Sequence, residues 1–163
     1  MKEIYGNLIT LSKEGHFDVI THGCNCFCTM GAGIAPQMAS AFGCDNFPME
    51  NIKYRGHINK LGTIDYEIFY LGHKTEGPLN LIVVNSYTQY NYGRNHADGD
   101  KTPVDYDAIT LCMRKINHIF KGKTIGLPKI GAGLAGGNWF VIEEIIKEEL
   151  KNMDVTIVKF DKI

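Results

Sequence analysis

The stretch Asp18-Val19-Ile20-Thr21-His22-Gly23-Cys24-Asn25, followed by Met30-Gly31-Ala32-Gly33-Ile34, runs from an apolar segment straight into a glycine cluster. Residues 17–22 (FDVITH) are rich in β-branched side chains and bounded by Gly15 and Gly23, which predicts a buried strand. Residues 34–42 (IAPQMASAF) suit a helix, with Pro36 in its first turn and Gly43 as its stop. The same arrangement recurs far along the chain. Leu127-Pro128-Lys129-Ile130 leads into Gly131-Ala132-Gly133-Leu134-Ala135-Gly136-Gly137, and Asn138 then caps a helix. Glycine opens backbone conformations closed to other residues and lets a ligand approach the chain. Successive N–H groups form an anion nest, and a following helix N-terminus adds partial positive charge. Two such loops facing each other suit a pyrophosphate, whereas either one alone also reads as an ordinary tight turn. Neither carries the Gly-Lys-Ser/Thr of a P-loop or the GxGxxG of a dinucleotide fold.

Outward from these loops, strands are expected at 62–71 (GTIDYEIFYL) and 79–85 (LNLIVVN), joined by a hairpin loop over 72–78. Residues 87–101 are polar and rich in Gly, Asn and Asp, so they read as a long loop of the kind that often carries function. Thr102-Pro103 is expected to cap a helix running to about Phe120, with Ile109, Met113, Ile116 and Phe120 at helical spacing. A strand at 124–130 precedes the second loop. The helix after Asn138 gathers Val141, Ile142, Ile145, Ile146 and Leu150 on one face, and 154–160 (DVTIVKF) forms the last strand. Strands alternating with helices predict an α/β fold, a three-layer α/β/α sandwich around a central mixed β-sheet. Ligands in such folds sit beyond the carboxyl ends of the strands.

No repeat, linker or low-complexity stretch divides the 163 residues, so one domain over 1–163 is expected. With 44% hydrophobic and 21% charged residues the chain is globular, and 17 basic against 18 acidic residues provide no field for a polyanion. No apolar run reaches membrane-spanning length and the start MKEIYGNLIT lacks a signal-peptide core, which points to the cytoplasm. The five cysteines, three of them in Cys24-Asn25-Cys26-Phe27-Cys28, read as reduced, buried thiols. A zinc site lacks its second Cys/His pair at finger spacing, so no metal or other cofactor is expected.

The two glycine stretches resemble the ligand loops of macrodomains, and Gly6-Asn7-Leu8-Ile9 stands where that family carries an N-terminal Gly-Asp-Ile motif. The His-x-Cys-Asn stretch before a Gly-Ile-Ala turn is most similar to the branch containing the yeast-type ADP-ribose 1″-phosphate phosphatase. The resemblance implies ADP-ribose or ADP-ribose 1″-phosphate as ligand, with nucleic acid only as an ADP-ribosylated substrate and no membrane. It places Asn7 at the adenine and Asn25 at the distal ribose, and Leu8 among the ligand-binding residues. Gly31, Ala32, Gly33 and Ile34 fall near that ribose and the phosphates. Gly131, Ala132, Gly133, Leu134, Ala135 and Gly136 become the pyrophosphate loop, and Phe160 the stacking aromatic. Phe160 equally reads as a core aromatic on a terminal strand. An Asn at position 7 accepts a hydrogen bond without charge assistance. Ala135 occupies the place of the Asp used by one glycohydrolase branch, and a methyl group cannot take that role.

Removing a phosphate needs a proton-transfer group beside an in-line water or nucleophile. The resemblance gives that role to His22, whose other reading is a strand-end histidine bonded to backbone. Asp98 and Asp100 in the long loop are candidate carboxylate partners, and Arg94 and His96 could meet a terminal phosphate there. The expected activity is therefore hydrolysis of ADP-ribose 1″-phosphate. Removal of ADP-ribose from protein, nucleic acid or O-acyl esters is one alternative, and non-catalytic ADP-ribose reading the other.

Overall fold

A computed structural model describes residues 1–92, 103–133 and 135–160. In chain order the elements are β1 (Lys2–Tyr5), α1 (Leu8–Lys13), β2 (Val19–Asn25), α2 (Ala35–Phe42), β3 (Ile64–Lys74), β4 (Gly77–Gln89), α3 (Tyr106–Ile119), β5 (Thr124–Leu127), α4 (Trp139–Glu149) and β6 (Asp154–Lys159). Three short 3-10 turns, Cys44–Asn46, Met49–Tyr54 and Ile58–Lys60, link α2 to β3. The strands form one sheet in the order β1-β6-β5-β2-β4-β3. All pairings are parallel except β3 with β4. This is the expected mixed sheet.

Its two faces are covered by different helices. Leu8, Met38 and Phe42 from α1 and α2 pack with Ile20, Leu81 and Val83 on one face. Ile109, Met113 and Ile116 from α3 and Ile142 and Ile146 from α4 pack with Val19, Val84, Ile125 and Leu127 on the other. Alternate side chains of β2 and β4 thus enter opposite cores, which is why both strands carry uninterrupted apolar runs. Burying each such aliphatic side chain contributes about 1.5–3 kcal/mol, and the central strands supply most of the sheet's share.

Local signals set the helix starts. Asp105 Oδ1 accepts from the Ala108 N–H at 3.0 Å and Asn138 Oδ1 accepts from the Phe140 N–H at 3.0 Å. The first of these corrects the expected cap at Thr102-Pro103: α3 begins at Tyr106, and Asp105 supplies the side-chain oxygen. Gly43, at φ 64°, ends α2 as expected. The strand expected over 79–85 is longer, because Ser86 and Tyr87 continue in register with Gly23 and Cys24 of β2. Their polar groups are satisfied inside: Ser86 Oγ lies 2.7 Å from Thr21 Oγ1, and the Tyr87 hydroxyl donates to Asp65 Oδ2 at 2.7 Å.

Candidate ligand-binding cleft

The carboxyl ends of β1, β6, β5, β2 and β4 all open on one edge of the sheet. Four interstrand spacings give that edge a width of about 19 Å. A cleft of about 1230 Å³ runs along it, walled by residues between Thr29 and Gln37 on one side and by Pro128 to Gly133 with Ala135 on the other. Tyr5, Leu8, Val158, Lys159 and Phe160 close one end, and Gln89 and Tyr92 lie at the other.

Asn25 ties down the first loop. Its Oδ1 accepts from the Phe27 and Thr29 N–H groups at 3.0 and 3.2 Å, and its Nδ2 donates to the Thr29 carbonyl at 2.8 Å. One Nδ2 hydrogen is left over for a ligand. In the second loop Gly131 sits at φ 75°, where a Cβ would lie 2.8 Å from Val104 Cγ2, and the Gly137 N–H donates to the Gly131 carbonyl at 2.8 Å. Gly131 is therefore a packing glycine. Gly31, Gly33 and Gly133 differ in kind, because a Cβ on any of them would meet nothing within 4 Å. All three line the cleft. Among the described residues the N–H groups of Gly31, Ala32, Gly33 and Gly133 donate to no protein acceptor. Unpaired amides beside bare Cα atoms form a cradle for an anion.

Of the other residues expected in the site, Leu8, Ile34, Ala132, Ala135 and Phe160 line the cleft. Gly136 does not; its N–H closes the turn onto the Gly133 carbonyl at 3.0 Å. Leu134, Arg94, His96, Asp98 and Asp100 lie outside the described residues. Asn7 is away from the lining, and its Oδ1 accepts from the Thr10 N–H at 3.1 Å as the N-cap of α1.

His22, the expected proton-transfer residue, does not line the cleft. Its side chain is 0% exposed and lies on the α2 side of β2, behind the cleft floor. Asn85 Nδ2 donates to the Cys44 carbonyl at 2.7 Å, which turns Asn85 Oδ1 toward the ring at 2.8 Å. His22 Nε2 therefore carries a hydrogen and donates it. Cys24 and Cys44 Sγ lie 3.4 and 3.6 Å from the same nitrogen. Burial lowers the imidazole pKa to about 4 against the smaller opposing effect of Asn85, so the ring is neutral at physiological pH. The sealed, neutral ring braces β2 against Asn85 and Cys44. The network continues from Asn85 Nδ2 to the Tyr87 hydroxyl and on to Asp65, which Lys60 Nζ meets at 3.1 Å. Burial also pushes the Cys44 and Cys112 thiols up to about 12 and Cys26 to about 11.

Among the described residues, the cleft lining contains no carboxylate and no imidazole. Sequence reading passed over Tyr5, Thr88, Lys129 and Lys159, which do line it. Three of them end or follow a strand, a position that could have singled them out. Thr88 is the unusual one: its Oγ1 is buried without a hydrogen-bond partner among the described residues. A Cβ on Gly23 would come within 3.0 Å of it.

Compared with known proteins, the chain is 34% identical, over an alignment of 172 residues, to an uncharacterized 17.5 kDa protein from the tk-vs intergenic region of Enterobacteria phage T4. That alignment takes in all of this chain and 98% of the phage protein. The chain belongs to that phage protein's family. No family model matches it. Among solved structures, a Bacteroides thetaiotaomicron protein superposes with a TM-score of 0.72 at 26% identity, covering 98% of this chain and 99% of the other. The macrodomain of Thermus aquaticus DarG gives 0.62 at 21% identity, covering 99% and 97%. Thermosipho africanus DarTG in complex with ADP-ribose gives 0.61 at 15% identity, covering 99% of this chain and 42% of that one. The fold of the phage-type chain is that of a macrodomain. No helix among its described residues is long and apolar enough to cross a membrane.

Proposed function

We propose that this macrodomain binds ADP-ribose, free or as a terminal group, along the cleft at the carboxyl edge of its sheet. The observation that carries the reading is the set of ligand-facing glycines. Gly31, Gly33 and Gly133 stand on two opposed loops with open space where side chains would be. A diphosphate bridging these loops would accept from their unpaired N–H groups, and charge-assisted bonds of that kind are about twice as strong as neutral ones. Phe160 and Tyr5 offer ring faces to a base at one end, and Asn25 offers an amide hydrogen toward the other. Thermosipho africanus DarTG, part of which shares this fold, has been solved in complex with ADP-ribose.

Hydrolysis of the terminal phosphate of ADP-ribose 1″-phosphate is the finer reading, supported by the resemblance of the His22-Gly23-Cys24-Asn25 stretch to that of the yeast-type phosphatase. The buried, neutral ring weighs against a proton-transfer role for His22, and on this reading Asp98 and Asp100 would share or supply that role. Calorimetric titration with ADP-ribose tests the binding claim. Phosphate release from ADP-ribose 1″-phosphate by wild type, His22→Gln and Asp98→Asn/Asp100→Asn tests the catalytic one. His22→Gln retains a donor for Asn85 and is expected to keep whatever activity the wild type has. Complete loss in a folded His22→Gln protein would return the catalytic role to His22.

A further inference from the structure

The carboxyl end of β4 slips against β2. Cys24 pairs with Tyr87 and Asn25 with Gln89, so Thr88 is an extra residue bulging from the ladder. Bulges re-aim side chains and recur beside functional sites. Val84 and Ser86, on the same alternation as Thr88, are buried and do not line the cleft, whereas Thr88 does. The hydroxyls around it are already engaged. Thr21 Oγ1 and Ser86 Oγ lie 2.7 Å apart, and Tyr87 donates to Asp65 Oδ2 at 2.7 Å. Thr88 Oγ1, in a residue 1% exposed, has no hydrogen-bond partner among the described residues. An unpaired buried hydroxyl destabilises the free protein, and such exceptions gather where a ligand completes the bonding.

Thr88 stands at the β4 end of the cleft, away from β1 and β6 with their Tyr5 and Phe160 rings. Its hydroxyl lies beside the bare Cα of Gly23, where a Cβ would come 3.0 Å from Oγ1. The backbone is fixed, because the Thr88 carbonyl accepts from the Asp105 N–H at 2.8 Å and Gln89 bridges to Val104. Only χ1 is left to turn, and a step between its staggered positions exchanges Oγ1 with the methyl group. With a base against the two rings and a diphosphate on the glycine loops, the part of the ligand that reaches Thr88 is the terminal ribose. Its hydroxyls both donate and accept, so either can pair with a threonine.

We propose that Thr88 is a specificity-determining residue whose hydroxyl pairs with the terminal ribose of ADP-ribose. The proposal rests on the binding reading above and adds to it the residue that recognises the sugar. The test is thermal melting and calorimetry on the full chain carrying Thr88→Val or Thr88→Ser. The ligands are ADP-ribose and ADP, which lacks the terminal ribose, with weak ADP binding read by displacement. Thr88→Val should melt about 2–4 °C above wild type, because the free protein loses an unpaired hydroxyl. It should nevertheless bind ADP-ribose about five- to tenfold more weakly, the loss of one neutral hydrogen bond. Its affinity for ADP should stay within about twofold of wild type, and Thr88→Ser should hold ADP-ribose within about threefold. A residue that merely shapes the cleft would move stability and affinity in the same direction. Wild-type affinity for ADP-ribose in Thr88→Val, an equal loss for ADP, or a lower melting temperature overturns this inference and leaves the binding reading intact. Failure of the wild-type chain to bind ADP-ribose overturns both.

Discussion

Replacing Gly133 by valine separates ligand binding from folding. Its backbone lies outside the left-handed region and a Cβ there meets nothing within 4 Å, so the new side chain enters open space. An exposed loop substitution of this kind changes stability by no more than about 0.5 kcal/mol, and loss of glycine entropy in the unfolded chain adds to stability. The same open space is the route by which a diphosphate reaches the unpaired amides. Losing one hydrogen bond to a charged group costs about 1.5–3 kcal/mol, which at 1.4 kcal/mol per tenfold weakens ADP-ribose by about 10- to 150-fold. Gly131→Ala is the counterpart. At φ 75° with Val104 Cγ2 2.8 Å from its Cβ, it should destabilise by about 1–3 kcal/mol, lowering Tm by several degrees. Thermal melts and titration calorimetry on the two variants are the assay. Wild-type affinity in a fully folded Gly133→Val protein would refute the idea that these amides hold the ligand.

Other consequences follow from the buried polar network. The His22 pKa falls from the ordinary 6.5 to about 4 on folding, so its contribution is complete above pH 6.5 and is lost as pH drops toward 4. Stability measured by denaturant across that window should fall by about 3 kcal/mol on its account, and His22→Gln should flatten the slope. Lys60→Met removes the ammonium that meets buried Asp65 Oδ2 at 3.1 Å and should cost about 3–5 kcal/mol in chemical denaturation. Thr88→Val removes a buried hydroxyl with no partner and should raise stability by about 1 kcal/mol.

Much of the architecture could be read from local pattern. The apolar run of β2 between Gly15 and Gly23, the proline and glycine that bracket α2, and the Asn138 cap of α4 each specify their own element. β1 escaped because all four of its residues are exposed, so it shows neither alternation nor an apolar run. The far end of β4 looked like loop because its Ser86, Tyr87 and Thr88 are polar. Ser86 and Tyr87 are buried through partners on β2 and β3 that no local window includes. The glycine loops were legible as a pair; Gly131 and Gly133 both line the cleft, but only the structure shows that a Cβ fits at Gly133 and not at Gly131. His22 was assigned to chemistry by its neighbours in sequence. Its actual environment comes from Asn85, 63 residues away, and Cys44, 22 residues away. The capping role of Asn7 was itself legible: an Asn directly before Leu8-Ile9 is an N-cap signal.

The most direct measurement is calorimetric titration of the whole chain with ADP-ribose, run beside Gly133→Val. The structure predicts saturable one-to-one binding by the wild type and its loss or marked weakening in a variant that melts normally. No detectable heat of binding at ligand concentrations of about 1 mM would contradict the account.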